Sequence, residues 1–140
     1  NMSLSEAASY KGVDEETLHR VETEIITLDT FIKEGNIPKI DLMKIDVELH
    51  EPEVFDGFAE NLKKFKPVLI IEIIRDYVGA SLHEKLSGLG YNYFFINEPY
   101  GGVDHPIKGE AYQKVDTLTG GRYGNYLFCS NDIVDELKLV

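Results

Sequence analysis

The stretch that decides the fold is DLMKIDVELHEPEVFDGFAENLKKFKPVLIIEI, residues 41–73. It begins with the apolar run DLMKID and ends with PVLIIEI, whose unbroken apolar character is typical of a strand covered on both faces of a parallel sheet. Between the two runs, Pro52 suits the first turn of a helix. Apolar residues then recur at helical spacing, at Val54, Phe55, Phe58, Leu62 and Phe65. This strand–helix–strand order predicts an α/β fold with a parallel sheet.

The segments on either side extend this pattern. VETEIIT, residues 21–27, alternates and is rich in β-branched residues, which predicts a strand. LDTFIKEGN follows it as a predicted short helix that ends at Gly35. After residue 73, Ser81 and Glu84 have the spacing of a capping box, which predicts that a helix begins there.

The rest of the chain consists of predicted strands and a glycine-rich connection. YNYFFI (91–96) and NYLFCS (125–130) are predicted strands, and a short helix is expected at the end. Residues 97–124 are rich in Gly, Tyr and Pro, so they are either partly stranded or a functional loop. With 140 residues and no linker, the simplest organisation is one domain over residues 1–140, with helices on both faces of its sheet.

Composition and charge exclude several classes of partner. Fourteen basic against 25 acidic residues give a formal charge of −11, which repels nucleic acid and anionic membranes. The one basic cluster, Lys63, Lys64 and Lys66, falls at a predicted helix end, where cations complement the helix dipole.

No apolar run approaches the ~20 residues of a membrane-spanning helix, and the first residues lack the apolar segment of a secretory signal, so a cytoplasmic location is expected. The single cysteine, Cys129, is expected to be a buried structural thiol.

Charged residues crowd the carboxyl end of the DLMKID strand. In a parallel α/β sheet, ligands bind in the crevice beyond the carboxyl ends of the strands, and Asp46, Glu48 and His50 fall there. Carboxylates in such a crevice can accept a substrate proton or bind hydroxyl and amine groups. Lys44 lies inside the strand, where an unpaired charge is costly. We therefore expect Lys44 to pair with a carboxylate of the neighbouring strand, namely Glu72.

Simpler interpretations stand beside these site predictions. Glu51 suits the positive end of a helix as well as a site, and His50 is either the helix cap or a ligand contact. Asp46 is the strongest candidate, since a strand-end acid in this fold class faces the crevice. An Asp–Glu–His trio would supply oxygen and nitrogen ligands, but spacing alone is weak support and no metal site is predicted. Substrate contacts from the glycine-rich connection are conceivable at Tyr100, His105 and Arg122.

Three motifs in this order resemble a known family, the FkbM-type methyltransferases. The family pattern has a Leu-Asp-Asp-hydrophobic element, then Lys-Ile-Asp-Val-Glu-Gly-x-Glu, and then a Lys-Pro-hydrophobic strand that ends in Glu. This chain has Leu28-Asp29-Thr30, then Lys44-Ile45-Asp46-Val47-Glu48-Leu49-His50-Glu51, then Lys66-Pro67 through Glu72. The match is specific over residues 21–73. Leu49 stands where the family usually has glycine, so the turn is expected to differ here if that glycine has a conformation closed to leucine.

The resemblance implies both a fold and a reaction. The fold would be a Rossmann-like class I methyltransferase sheet, mostly parallel. The reaction would transfer a methyl group from S-adenosylmethionine to a hydroxyl of a small molecule, such as a sugar or a polyketide-like alcohol. Asp46 would take the proton or orient the hydroxyl, with help from Glu48 and His50. Lys44 and Glu72 would hold the strand end in place.

A further expectation concerns the cofactor. This class binds it with a glycine-rich turn after the first strand, and neither LTGGRYGN (118–125) nor GGVDHPIKG (101–109) has the required strand–turn–helix context. We therefore expect the chain to hold the later strands and the acceptor side only, and to be inactive alone. We also expect it to associate with a second copy or with a missing amino-terminal half. The alternative is a non-enzymatic binding module that kept the sheet and lost the cofactor.

Overall fold

The computed structural model describes residues 21–97 and 111–139, which contain five helices and five strands. The helices are α1 (Leu28–Glu34), α2 (Glu51–Asp56), α3 (Ala59–Phe65), α4 (Asp76–Leu86) and α5 (Asn131–Leu137). The strands are β1 (Leu42–Ile45), β2 (Val68–Ile73), β3 (Asn92–Ile96), β4 (Tyr112–Val115) and β5 (Gly124–Cys129).

The strands form one sheet in the order β1–β2–β5–β3–β4. β1 and β2 are parallel, with Ile45 opposite Ile71. β5 is antiparallel to both β2 and β3, and β4 is antiparallel to β3 at the far edge. The predicted α/β class is confirmed, and β1, β2 and β3 all point in one direction. The described sheet is nevertheless mixed rather than mostly parallel, because β5 lies between β2 and β3 in the opposite direction.

Apolar side chains on the two faces of the sheet form two core clusters. The larger cluster joins the sheet to α1, α2, α3 and α4, and Phe58 and Leu82 are fully buried in it. The smaller cluster joins β3 and β5 to α5 and includes Leu127, Cys129 and Val134. Helices therefore cover both faces, as predicted. Cys129 is buried, also as predicted, and burial raises its pKa to about 11, which suppresses the reactive thiolate at neutral pH.

The strand predicted at residues 21–27 is wrong, because this segment has no regular structure and lies exposed. Its Ile25 is 91% exposed and its Ile26 is 46% exposed, so the alternating side chains have no buried face. β1 is consequently an edge of the described sheet, and Leu42 is 60% exposed there. An exposed edge favours association with another strand, and the expected partner stays a prediction.

The single helix predicted between the two parallel strands is divided into α2 and α3. The break falls at Gly57, whose carbonyl accepts a hydrogen bond from the Asp29 amide at 2.8 Å. A side-chain carbon at Gly57 would lie 3.2 Å from Cβ of Thr27. Glycine therefore lets the start of α1 approach closely, and this contact takes the Gly57 carbonyl away from a continuous helical ladder.

The helix after β2 begins earlier than the predicted capping box. α4 starts at Asp76, so Ser81 and Glu84 lie inside it rather than at its start. The Asp76 carboxylate accepts a hydrogen bond from the Gly121 amide at 3.0 Å, and an acid in the first turn complements the helix dipole. The sequence feature at the observed helix start is therefore the acid Asp76, and no side chain caps the helix there.

The other predicted elements are confirmed. α1 lies within LDTFIKEGN and ends before Gly35, and β1, β2 and β3 lie within the predicted apolar runs. β5 begins and ends one residue earlier than the predicted strand NYLFCS. α5 is the short helix expected at the end, and residues 97–124 are partly stranded because they include β4. In the part of the chain that the structure describes, no helix has the length and apolar character needed to cross a membrane.

Candidate active site at the carboxyl end of β1 and β2

The parallel pair β1 and β2 brings two acidic residues to the same end of the sheet. Lys44 lies opposite Ile70 in the register. Asp46 and Glu72 follow two residues later on the same face, since side chains two apart along a strand share a face. They lie one residue beyond the paired Ile45 and Ile71, which brings the two carboxyl groups side by side, and each affects the pKa of the other. The two acids thus meet at the carboxyl ends of the strands, where sheets of this class bind ligands.

Lys44 is paired with a carboxylate, as predicted, but the partner is Asp46. Its Nζ donates a hydrogen bond to Oδ2 of Asp46 at 2.6 Å. Glu72, the predicted partner, instead contacts Asp46, and the Lys44 charge acts on Glu72 as well. The three side chains therefore form a chain of contacts in which Asp46 lies in the middle.

The two acids have pKa values shifted in opposite directions. The hydrogen bond from Lys44 is the largest cause that moves the pKa of Asp46, and the net effect is below its ordinary value of 3.8. Burial, followed by the negative charges of Asp46 and Glu48, raises the pKa of Glu72 above its ordinary value of 4.5. When the pH falls, Glu72 therefore takes up a proton before Asp46 does, and Asp46 remains the carboxylate.

The turn between β1 and α2 has an unusual backbone. Glu48 has φ of 55° and Leu49 has φ of 78°, and both values lie in the left-handed region that favours glycine. Leu49 is half-buried and packs against the larger core cluster. The turn thus keeps a glycine-type conformation with leucine in it, at a cost of about 1–2 kcal/mol for each such residue.

Glu51 closes this turn from inside the protein. It is only 2% exposed, and its Oε1 accepts a hydrogen bond from the Val47 amide at 3.1 Å. It is also the first residue of α2, where a negative charge complements the helix dipole. These contacts fit the interpretation of Glu51 as a structural helix-start charge better than a role in ligand contact.

His50 lies at the start of α2, but its side chain makes no capping hydrogen bond. Its Nδ1 is 3.8 Å from Oε2 of Glu53, and its side chain is 74% exposed, so it is free to turn toward a ligand. It lines a groove of about 530 Å³ between residues 25–28 and α2. Several of the other lining residues are apolar, among them Ile25, Ile26, Val47 and Val54.

Asp46 and Glu48 do not line this groove. They are also absent from the walls of the three other cavities described within residues 21–97 and 111–139. The Asp46 side chain is 41% exposed. Within the described residues, the side chains of Asp46 and Glu48 are exposed beside the edge strand, and the crevice around them stays a prediction.

One polar neighbour of the site was not predicted. Asn125 of β5 lies opposite Glu72 in the antiparallel register, so its side chain continues the polar row that begins at Asp46. The available signal was a polar residue at the start of the apolar run NYLFCS. Asn125 lies beside Glu72 only because this run pairs with β2, and the pairing does not follow from the sequence of the run.

The remaining candidates contribute less. Tyr100 and His105 lie outside the described residues. Arg122 donates a hydrogen bond to Oε1 of Gln113 at 3.0 Å, and its guanidinium lies 5.2 Å from the centre of the Phe95 ring. Across residues 21–97 and 111–139, no group of three His, Cys, Asp or Glu side chains could hold a metal ion.

Comparison with known proteins bears on what these acids do. The family model described as the methyltransferase FkbM domain matches residues 1–93. Neither a curated protein nor a solved structure gives a significant match. The matched residues include β1, β2 and the turn after β1, and thus the whole contact chain from Lys44 through Asp46 to Glu72. Since the match covers about two thirds of the 140 residues, the chain belongs to the FkbM methyltransferase domain family.

Proposed function

We propose that this domain serves methyl transfer from S-adenosylmethionine to a hydroxyl group of a small molecule, with Asp46 as the group that accepts the hydroxyl proton. The observation that carries the proposal is the hydrogen bond from Lys44 to Asp46, which keeps Asp46 ionised at the carboxyl end of two parallel strands. An ionised carboxylate in that position can accept a hydrogen bond from a hydroxyl and take its proton as the oxygen becomes nucleophilic.

Glu48 and His50 are proposed to help orient the acceptor. The negative charge of Glu48 raises the pKa of Glu72, so the Glu48 carboxylate belongs to the same acidic surface as Asp46. The exposed imidazole of His50 lies four residues after Asp46, across the turn, and can donate or accept a hydrogen bond. Holding the hydroxyl in one orientation can supply much of the rate gain in such a transfer.

The methyl donor is proposed from the family alone. Backbone amides at a glycine-rich strand-to-helix turn are what this class uses to approach the cofactor. Within the described residues, the connections from β1 to α2, from β2 to α4 and from β5 to α5 contain no glycine. The Val47 amide is already bonded to Glu51. The described residues therefore do not fit the donor, and we assign it no contact with them.

Calorimetric titration with S-adenosylmethionine, on this chain and on a longer chain that contains it, tests the proposal. We expect binding by the longer chain, and loss of methyl transfer in its Asp46→Asn variant with the donor affinity unchanged. The matched control is Asp41→Asn, at the other end of β1, which should transfer at the normal rate. Full activity in Asp46→Asn would remove Asp46 from the reaction, and absence of donor binding by both chains would favour a binding module instead.

A further inference from the structure

We propose that Glu72 is a positioning residue that receives, through Asp46, the proton lost by the acceptor hydroxyl. The inference rests on the proposed function, because it needs a hydroxyl that Asp46 deprotonates. It adds a second residue, on a different strand, that does not itself contact the substrate. The rest of the contact chain gives the reason.

The geometry joins Glu72 to the reaction through Asp46. The parallel register puts the two carboxyl groups side by side, one residue beyond the paired Ile45 and Ile71, and Lys44 donates a hydrogen bond to Asp46 at 2.6 Å. The charged groups that act on Glu72 are the carboxylates of Asp46 and Glu48 and the ammonium of Lys44, all from β1 and the turn after it. On its other side, β5 presents the neutral Asn125. Any proton leaving Asp46 along a hydrogen bond to a protein acid thus has Glu72 as its direct neighbour.

Asp46 and Glu72 differ in proton affinity, in the direction that favours proton transfer from Asp46 to Glu72. Lys44 stabilises the anionic form of Asp46, which makes Asp46 a poor place for a proton to stay. Burial and two nearby negative charges stabilise the protonated form of Glu72. When two neighbouring carboxyl groups have different proton affinities, one acts first as the base and the other then holds the proton.

The proton passes from the acceptor hydroxyl to Asp46, then to Glu72 and finally to water. The O–H bond of the acceptor breaks, and its electron pair stays on the oxygen. The methyl donor would supply the carbon to which this oxygen bonds, and the electron pair of the broken S–C bond would go to sulfur. The proton forms an O–H bond with the Asp46 carboxylate. The protonated Asp46 then donates a hydrogen bond to the Glu72 carboxylate, and the proton moves along it to Glu72. Asp46 is returned to its anionic form beside Lys44, and Glu72 finally loses the proton to water at its partly exposed edge.

Titration of the side-chain carboxyl carbons by NMR tests the pair in the free protein, without any reaction. We expect the midpoint of Glu72 to lie above that of Asp46, and the Asp46 signal to show a second inflection at the Glu72 midpoint because the two sites are coupled. Asp46→Asn should lower the Glu72 midpoint. The matched control Glu48→Gln removes the weaker of the two negative charges that raise the Glu72 pKa, and should lower the midpoint less.

Independent titration of the two acids, or a Glu72 midpoint unchanged in Asp46→Asn, would overturn the inference. The inflection in the unaltered chain decides the question even if a variant fails to fold. These readouts do not depend on methyl transfer, so they separate a failure of the pair from a failure of the proposed function.

Kinetics on an active longer chain test the relay itself. Glu72→Gln keeps an N–H that can donate to Asp46 but removes the site that takes the proton. We expect kcat to fall by about tenfold or more with KM unchanged, and the fall in rate toward acid pH to move to lower pH. Loss of the Glu72 charge alone would also move the profile to lower pH, so the relay is supported only if kcat on the plateau of the profile falls as well, and an unchanged plateau kcat overturns it. An unchanged kcat and profile would overturn the relay while the proposed function stands, and absence of transfer by the unaltered chain would overturn both.

Discussion

The ammonium nitrogen of Lys44 lies 2.6 Å from Oδ2 of Asp46, two residues further along the same strand. The chain repeats this spacing at the other end of β1, where Lys39 forms an ion pair with Asp41. The first pair lies beside Glu72, and the charges of both its members act on the pKa of Glu72. The two pairs therefore form a natural comparison, in which one belongs to the candidate site and the other does not.

Replacement of the site lysine is expected to change the titration of Asp46. Lys44→Gln removes the main group that holds the pKa of Asp46 below 3.8, so Asp46 should take up its proton at a higher pH. NMR titration of the Asp46 carboxyl carbon measures this shift. Lys39→Gln is the control and should leave the Asp46 titration unchanged. Equal curves for Lys44→Gln and the unaltered chain would contradict the pairing.

Because of the backbone conformation at Leu49, we expect glycine to be more stable than alanine at this position, which is the reverse of their usual order of stability. Both Leu49→Ala and Leu49→Gly lose the packing of a half-buried side chain, but only glycine is unstrained at φ of 78°. We therefore expect Leu49→Gly to be more stable than Leu49→Ala by about 1 kcal/mol, measured by urea denaturation. At Ala80, inside α4, glycine should instead destabilise by about 1 kcal/mol. The normal order at position 49 would argue against the left-handed turn.

The sequence predicted the individual helices and strands well, but it predicted less well which residues of different elements contact each other. The need of Lys44 for a carboxylate follows from its place in a strand, but a partner two residues along the strand and a partner across the sheet satisfy that need equally. The contact of Asp46 with Glu72 depends on the register of two strands, which neither strand specifies alone. Residues 21–27 have the alternation of a strand, but alternation does not provide a neighbour to pair with.

The same is true of β5: its local pattern predicts a strand, but not which strands it pairs with in the sheet. The residues of NYLFCS predict a strand, and β5 covers all of them except Ser130. Its antiparallel place between β2 and β3 comes from non-local pairing, with Leu69 opposite Phe128 and Tyr93 opposite Phe128 on the other side. This placement made the sheet mixed, and it also brought Asn125 next to Glu72. The unpredicted part of the site and the unpredicted part of the fold therefore have one cause.

Asp29 is expected to stabilise the start of α3 in a pH-dependent way. Although burial raises its pKa, hydrogen bonds from the amides of Glu60 and Asn61 and from the Asn61 side chain bring the pKa below 3.8 overall. Because the folded-state pKa is depressed, this stabilisation is complete above pH 3.8 and is lost as the pH falls through the folded value. Asp29→Ala should lower the free energy of unfolding by about 1 kcal/mol at pH 7.

The measurement for Asp29 is urea denaturation of both proteins over a series of pH values. The difference between Asp29→Ala and the unaltered chain should shrink as the pH falls below 3.8. Asp41→Ala is the control, because Asp41 is exposed and its ion pair with Lys39 is a surface pair of little energetic value. A difference that stays constant from pH 7 to the acid range would show that Asp29 acts through packing rather than through its charged hydrogen bonds.

Gly79 is expected to be the glycine of α4 that tolerates no side chain. A Cβ atom built there would lie 1.9 Å from the carbonyl oxygen of Leu118, a backbone atom that cannot rotate away. Gly79→Ala must therefore push α4 away from the segment before β5, although alanine favours helix more than glycine does. We expect a loss of about 1–3 kcal/mol in the free energy of unfolding. Gly35→Ala is the control, since its nearest contact is 3.1 Å and its φ is −76°, and it should cost much less. If Gly79→Ala proves as stable as the unaltered chain, α4 does not approach Leu118 in the way described.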